Sequence, residues 1–144
     1  MSVKTSLRTA AAVALLVGGY AAGRMSGAST AEAQTATRVF EMRTYTAPDA
    51  EKFAMLQARF RDHTTKLFTK HGMTHIGYWT PVETPNTLVY IIAFPSMEEA
   101  KKSWAAFRAD PDWQAVAEKT KQAGLTGVKI ESKYLQPTDY SPIK

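Results

Sequence analysis

Thr87-Leu88-Val89-Tyr90-Ile91-Ile92-Ala93-Phe94 is the most apolar strand-like stretch of this chain. Side chains of an extended backbone alternate between two faces. Leu88, Tyr90, Ile92 and Phe94 therefore share one side, and Val89, Ile91 and Ala93 the other. A strand that is apolar on both sides belongs in the middle of a sheet covered above and below. The rest of the chain has to supply that cover.

On its N-terminal side, Glu83–Asn86 with Pro85 reads as a hairpin-like loop, preceded by a strand over Met73–Thr80 that Pro81 ends. Before it, Ala47-Pro48-Asp49 turns the chain into a helix. Pro48 suits a first turn, and Asp49 and Glu51 suit the positive helix end. Phe53, Leu56, Phe60, Thr64 and Leu67 recur at helical spacing, and Gly72 marks the stop. Arg38–Thr46 alternates as a strand, with Phe40, Met42 and Thr44 on one face and Glu41, Arg43 and Tyr45 on the other. Beyond Phe94, Ser96-Met97-Glu98-Glu99 is a capping box, and Ala100, Trp104 and Phe107 continue a helical stripe. Asp110-Pro111 opens a further helix with Trp113, Val116 and Ala117 inward. Gly124 and Gly127 break it, Val128–Leu135 forms a last strand, and Pro137–Lys144 a tail.

The order β-α-β-β-α-β predicts an α+β, ferredoxin-like fold with a four-stranded antiparallel sheet. Both helical regions fall on one face, and no element is left for the other. A bulky apolar face in water is unusual for a monomer, so the expectation is a homodimer, sheet against sheet.

The chain has 144 residues, 44% hydrophobic and 22% charged, which suits one globular domain. It has no cysteine, so thiol catalysis, disulfides and thiolate metal sites are excluded. Lys4 and Arg8 precede an apolar run over Thr9–Ala22, and Ala31-Glu32-Ala33 is a small-x-small cleavage site before Gln34. The run falls short of the roughly 20 residues a spanning helix needs. Residues 1–33 are expected to be a signal peptide, with an uncleaved N-terminal anchor as the alternative. Residues 34–37 are a linker and 38–144 the domain. Either way the domain is expected in the periplasm, touching membrane only through an uncleaved N-terminal segment. Loss of Lys4, Arg8, Arg24 and Glu32 takes the net charge from +5 to +3, with no Lys/Arg block, so nucleic acid is not an expected partner.

Several stretches resemble a NIPSNAP-family domain: Phe40-Glu41-Met42-Arg43-Thr44-Tyr45-Thr46, Phe60-Arg61-Asp62-His63-Thr64, Lys70-His71-Gly72-Met73 and Gly77-Tyr78-Trp79-Thr80. Arg108-Ala109-Asp110-Pro111-Asp112-Trp113, Leu135-Gln136-Pro137 and Tyr140-Ser141-Pro142 complete the series, in family order over residues 38–144. The resemblance implies the dimeric α/β-barrel group. It implies no particular reaction.

Glu41, Arg43 and Tyr45 would give an acid, a fixed cation and a phenol on one strand face. Arg43 could hold a carboxylate bidentately, Glu41 could take a proton, and Tyr45 could orient a polar ligand. Alternatively Glu41 and Arg43 pair with each other, or with Lys129, Glu131 and Lys133 across the sheet. His63, at the edge of the buried helical stripe, is either a proton-transfer or ligand group or a structural histidine. His71 is expected to interact with the last helix carbonyls. Trp79 could wall a pocket or serve the core. His63 and His71 are eight residues apart, roughly 12 Å along a helix, so no three-histidine metal site is expected with His75. The candidate ligand-binding residues are thus Glu41, Arg43, Tyr45, His63 and Trp79, with His63, Arg43 and Tyr45 the candidate catalytic set and no cofactor expected. Two functions follow: an exported dimer binding a small molecule or protein partner, or a cofactor-independent monooxygenase or isomerase acting on a small aromatic or apolar substrate.

Overall fold

Two strands that alternate in step set the register of the whole sheet. In the computed structural model, which describes residues 38–144, β1 (Val39–Thr46) runs antiparallel to β3 (Thr87–Phe94), pairing Glu41 with Ile92, Arg43 with Tyr90 and Tyr45 with Leu88. β4 (Lys129–Leu135) adds to the other edge of β1 and β2 (Thr74–Trp79) to the far edge of β3, giving the order β2-β3-β1-β4. All pairings are antiparallel, as the βαββαβ order requires. The expected signal or anchor over 1–33 and the linker over 34–37 lie outside the described residues.

The helices cover the face that carries Leu88, Tyr90, Ile92 and Phe94, each at most 2% exposed. Asp49 caps α1 (Ala50–Arg59) by accepting from Lys52 N at 2.8 Å, and so leaves Pro48 outside the helix. At Phe60–Thr64 the helix widens into a π turn before α2 (Thr65–Lys70). The Thr64 hydroxyl donates to the Arg59 carbonyl, one of the groups that the wider turn loosens. Phe60 and Thr64 are both buried, as their helical spacing predicts. Ser96 caps α3 (Met97–Ala109), and Asp110 caps α4 (Pro111–Gln122), with Pro111 in its first turn. Trp104 and Phe107 of α3 meet Phe68 edge-on and tilted at 5.5 and 5.1 Å, and Phe60 meets Tyr90 at 5.3 Å. This aromatic cluster is the core.

Two details of β2 depart from simple alternation. A bulge sets both Ile76 and Gly77 opposite Ile91, so His75 and Tyr78 come to the helix side together. His75 Nδ1 lies 2.5 Å from the Tyr78 hydroxyl, and Trp79 is turned to the far face, where its ring lies over Gly77. Tyr78 loses solvent in this position, and burial pushes its phenol up to about 12. The far face is also less bare than the element order suggests. Phe40, Ile76, Ile91 and Leu135 lie beneath residues of the C-terminal segment, including Thr138 and Ile143, around a hollow of roughly 300 Å3. Trp79 remains 51% exposed at its edge.

Asp110 joins helix cap to ion pairing. Its carboxylate accepts from Asp112 N at 2.8 Å and lies 2.9 Å from Lys70 Nζ and 2.6 Å from His71 Nε2. The His71 side chain therefore serves Asp110 rather than the helix carbonyls. Lys70, then His71, hold the Asp110 carboxyl well below its ordinary range.

Two measurements check this account. Phe68→Ala should cost about 3–5 kcal/mol in urea unfolding, because Phe68 is fully enclosed, whereas Val82→Ala on the exposed loop should change little. The lowered carboxyl of Asp110 stabilises the fold fully above the ordinary carboxylate value near 4 and progressively less as pH falls below it. Asp110→Asn should therefore flatten the fall in stability below about pH 4, measured by unfolding at successive pH values.

Candidate functional site

The register of β1 carries Glu41, Arg43 and Tyr45 to the helix side, between sheet and helices. A chamber shared with a second copy across the far face would be lined instead by Phe40, Met42, Val89 and Ile91. Lys129, Glu131 and Lys133 pair with Thr46, Thr44 and Met42, so they too belong to the far face and cannot reach Glu41 or Arg43 directly. Their places on the helix side are taken by Ile130, Ser132 and Tyr134.

Glu41 is 3% exposed, and a buried carboxylate must be supplied with donors. Trp104 Nε1 of α3 donates to Oε2 at 2.5 Å, and the Ser132 hydroxyl of β4 donates to Oε1 at 2.6 Å. The Tyr134 phenol lies beside the same carboxylate, and its pKa is raised first by burial and then by that negative charge. Glu41 thus ties β1, β4 and α3 at one point. Each of its oxygens already accepts one hydrogen bond from a fixed neighbour.

Arg43 is left short. Its Nε forms an ion pair with Glu41 Oε1 at 3.7 Å, beyond hydrogen-bond distance, and this buried atom has no hydrogen-bond partner among the described residues. The guanidinium lies over the Trp104 ring at 4.4 Å and near the Tyr45 ring at 5.6 Å. Tyr45 in turn receives a long hydrogen bond of 3.4 Å from the Tyr90 hydroxyl. Burial holds the Tyr90 phenol far above its ordinary value, so it stays a neutral donor. The geometry offers a planar cation, aromatic faces and phenolic hydrogens.

The other expected residues lie elsewhere. His63 is exposed on the outside of the helix layer, where it lines a shallow hollow with Asp62, Lys66, Asp112 and Val116. Trp79 is on the far sheet face. The structure therefore brings Glu41, Arg43 and Tyr45 together and sets His63 and Trp79 apart. The residues missed from sequence are Trp104, read only as core, and Ser132, whose placement opposite Arg43 follows only from the β1–β4 register. Among the described residues, no three imidazole or carboxylate groups converge as a metal site would need.

With this arrangement of strands and the Glu41–Arg43–Tyr45 face in view, the chain can be set beside known proteins. The NIPSNAP family pattern matches residues 40–142. The chain belongs to the NIPSNAP family. A NIPSNAP family protein of unknown function from Agrobacterium tumefaciens shares 24% identity over 76% of this chain and 96% of its own, with a TM-score of 0.64. An uncharacterised NIPSNAP-like protein from Burkholderia xenovorans shares 27% over 74% and 90%, with a TM-score of 0.60. The cofactor-independent oxygenase SnoaB from Streptomyces nogalater shares the fold at 16% identity, over 74% of this chain and 99% of its own, with a TM-score of 0.52. None of the curated proteins matches.

The hold on Glu41 can be tested within this NIPSNAP domain. Trp104→Phe keeps most of the packing but removes the donor to a buried carboxylate, and should cost about 1–3 kcal/mol. Unfolding in urea measures the loss, and Ser103→Ala, a half-buried neighbour on the same helix, should fall well below it.

Proposed function

We propose that this NIPSNAP domain is exported to the periplasm, pairs with a second copy through its far sheet face, and binds a small organic anion against Arg43. One observation supports the binding reading above all. The Arg43 guanidinium is held on Trp104 with a buried Nε that has no hydrogen-bond partner among the described residues, beside a carboxylate already supplied with two donors. A half-buried guanidinium whose Nε has no hydrogen-bond acceptor gains from an incoming carboxylate, which supplies acceptors in bidentate form. Apolar Phe40, Ile91 and Leu135 with half-exposed Trp79 support pairing of copies. Lys4, Arg8, the apolar run to Ala22 and Ala31-Glu32-Ala33 support export.

A cofactor-independent monooxygenase or isomerase using His63 with Arg43 and Tyr45 has less support, since His63 lies outside the layer that encloses the other two.

Native mass spectrometry of protein purified after expression of the full chain should show twice the mass of the processed subunit, and a small acid released on denaturation. Arg43→Gln should keep the subunit count and lose the acid. A single subunit at high concentration would reject the pairing. An Arg43→Gln protein that still carries the acid would reject the site.

A further inference from the structure

We propose that His75 and Tyr78 form a proton-accepting pair beside a hollow at the β2 edge of the sheet, and that this hollow takes a single-ring aromatic molecule bearing an acidic hydroxyl. None of the residues proposed to bind at Arg43 lines this hollow.

Two local irregularities face each other here. On the strand side, the bulge at Ile76 and Gly77 brings His75 and Tyr78 to the helix side together, where a regular strand would have put them on opposite faces. On the helix side, Phe60 and Arg61 belong to the π turn, an irregularity that often sits at functional positions. Between them lies a hollow of roughly 170 Å3, walled by Gln57, Phe60, Arg61, Thr65, Tyr78 and Leu88. β2 pairs only with β3, so no further strand closes that side, and the exposed Arg61 stands at the rim.

The hydrogen bonds fix which atoms carry protons. The Thr69 hydroxyl donates to the Thr65 carbonyl at 3.2 Å, so its oxygen accepts from His75 Nε2, 2.9 Å away. A neutral imidazole has a single N–H, which leaves a lone pair on Nδ1. Tyr78 therefore donates its hydroxyl hydrogen to Nδ1 at 2.5 Å. This chain runs from Thr65 to Tyr78, both of them in the wall of the hollow. Burial pushes the Tyr78 phenol up to about 12, so it holds that hydrogen at rest. With the hydrogen committed, the Tyr78 oxygen can only accept, and a guest must bring a donor. Phe60, Leu88 and the Tyr78 ring offer apolar surface to the body of the guest, and Arg61 carries the one charge among the six wall residues. An acidic hydroxyl on an aromatic ring meets all three demands. Its proton passes to the Tyr78 oxygen as the Tyr78 hydrogen passes to Nδ1. Tyr78 ends neutral, His75 ends an imidazolium, and the guest ends an anion facing the Arg61 guanidinium. Phe68, 6.3 Å from the His75 ring, and Tyr90, stacked on Tyr78 at 5.4 Å, enclose the pair without adding charge.

Titration of the purified protein with 4-nitrophenol, whose yellow anion reports ionisation, tests this at a pH where the free compound is mostly neutral. It should bind and turn yellow. 4-Nitroanisole, which has the ring but no hydroxyl hydrogen, should bind at least about tenfold more weakly. Failure of 4-nitrophenol to bind, or equal binding of 4-nitroanisole, overturns the ligand class, and binding without colour overturns the proton-accepting role. Tyr78→Phe keeps the stacking on Tyr90 and should lose the colour, with affinity down about tenfold or more. His75→Asn keeps an acceptor for the Tyr78 hydrogen but cannot take a proton, so it should bind 4-nitrophenol and leave it colourless. A histidine that serves structure alone would leave the colour unchanged in that variant, and this result rejects the pair. Arg61→Gln, a change on the exposed rim, should lower the ionised fraction of the bound compound, and an unchanged fraction rejects its place in the site. Colour that persists in Tyr78→Phe and disappears in Arg43→Gln would assign the ionisation to the Arg43 site and reject this one.

Discussion

A buried carboxylate on a central strand constrains everything around it. A carboxyl group shut away from water needs hydrogen-bond partners fixed in place, and Trp104 and Ser132 supply them to Glu41 from α3 and β4. β4 is an edge strand whose helix-side residues are largely solvated, so packing alone holds it weakly. Its seven-residue ladder with β1 and the Ser132–Glu41 bond do that work together. The same requirement orients Trp104, since its indole N–H must reach Oε2, and the ring face is thereby turned to Arg43 at 4.4 Å. Satisfying the acid thus sets the stage for the cation, which keeps an ion pair with Glu41 but has no hydrogen-bond acceptor at its Nε.

The helix layer repeats this logic from above. A regular helix from Ala50 to Lys70 would advance its apolar stripe by 3.6 residues per turn throughout. The π turn at Phe60–Thr64 adds a residue to one turn, which keeps Phe60, Thr64, Leu67 and Phe68 all buried. Arg59 precedes that widening and is half-buried with its guanidinium over the Trp113 ring. Aromatic neighbours and the stems of the arginines make this bearable, because a delocalised guanidinium is less strongly hydrated than an ammonium.

Much of this was legible in the chain. Alternation along Val39–Thr46 and Thr87–Phe94 was enough to group Glu41 with Arg43 and Tyr45 and to place β3 in the middle of the sheet. The Asp49, Ser96 and Asp110 caps mark where α1, α3 and α4 begin. Which sheet face meets the helices was not legible, since β3 is apolar on both. Nor was the face of Trp79, because a bulge reverses parity and a strand glycine, Gly77, is only a faint sign of one. The pairing of His71 with Asp110 joins residues 39 apart in sequence, and Ser132 with Glu41 joins residues 91 apart. Local periodicity carries no information about such contacts.

The face assignment changes what a site in this fold has to be. Had Glu41, Arg43 and Tyr45 faced away from the helices, any pocket built on them would have been completed by a second copy, and pairing and binding would stand or fall together. They face inward instead, so their walls come from α1, α3 and α4 of the same chain. The far face is left with Phe40, Ile91, Leu135 and Trp79, residues suited to being covered rather than to chemistry. One sheet thereby separates a charged face from an apolar one. Its charged side can be altered at Arg43 without touching the far face, and its apolar side can be altered at Trp79 without touching the Arg43 guanidinium. The proposed association and the proposed ligand binding are therefore assigned to opposite faces of the same four strands.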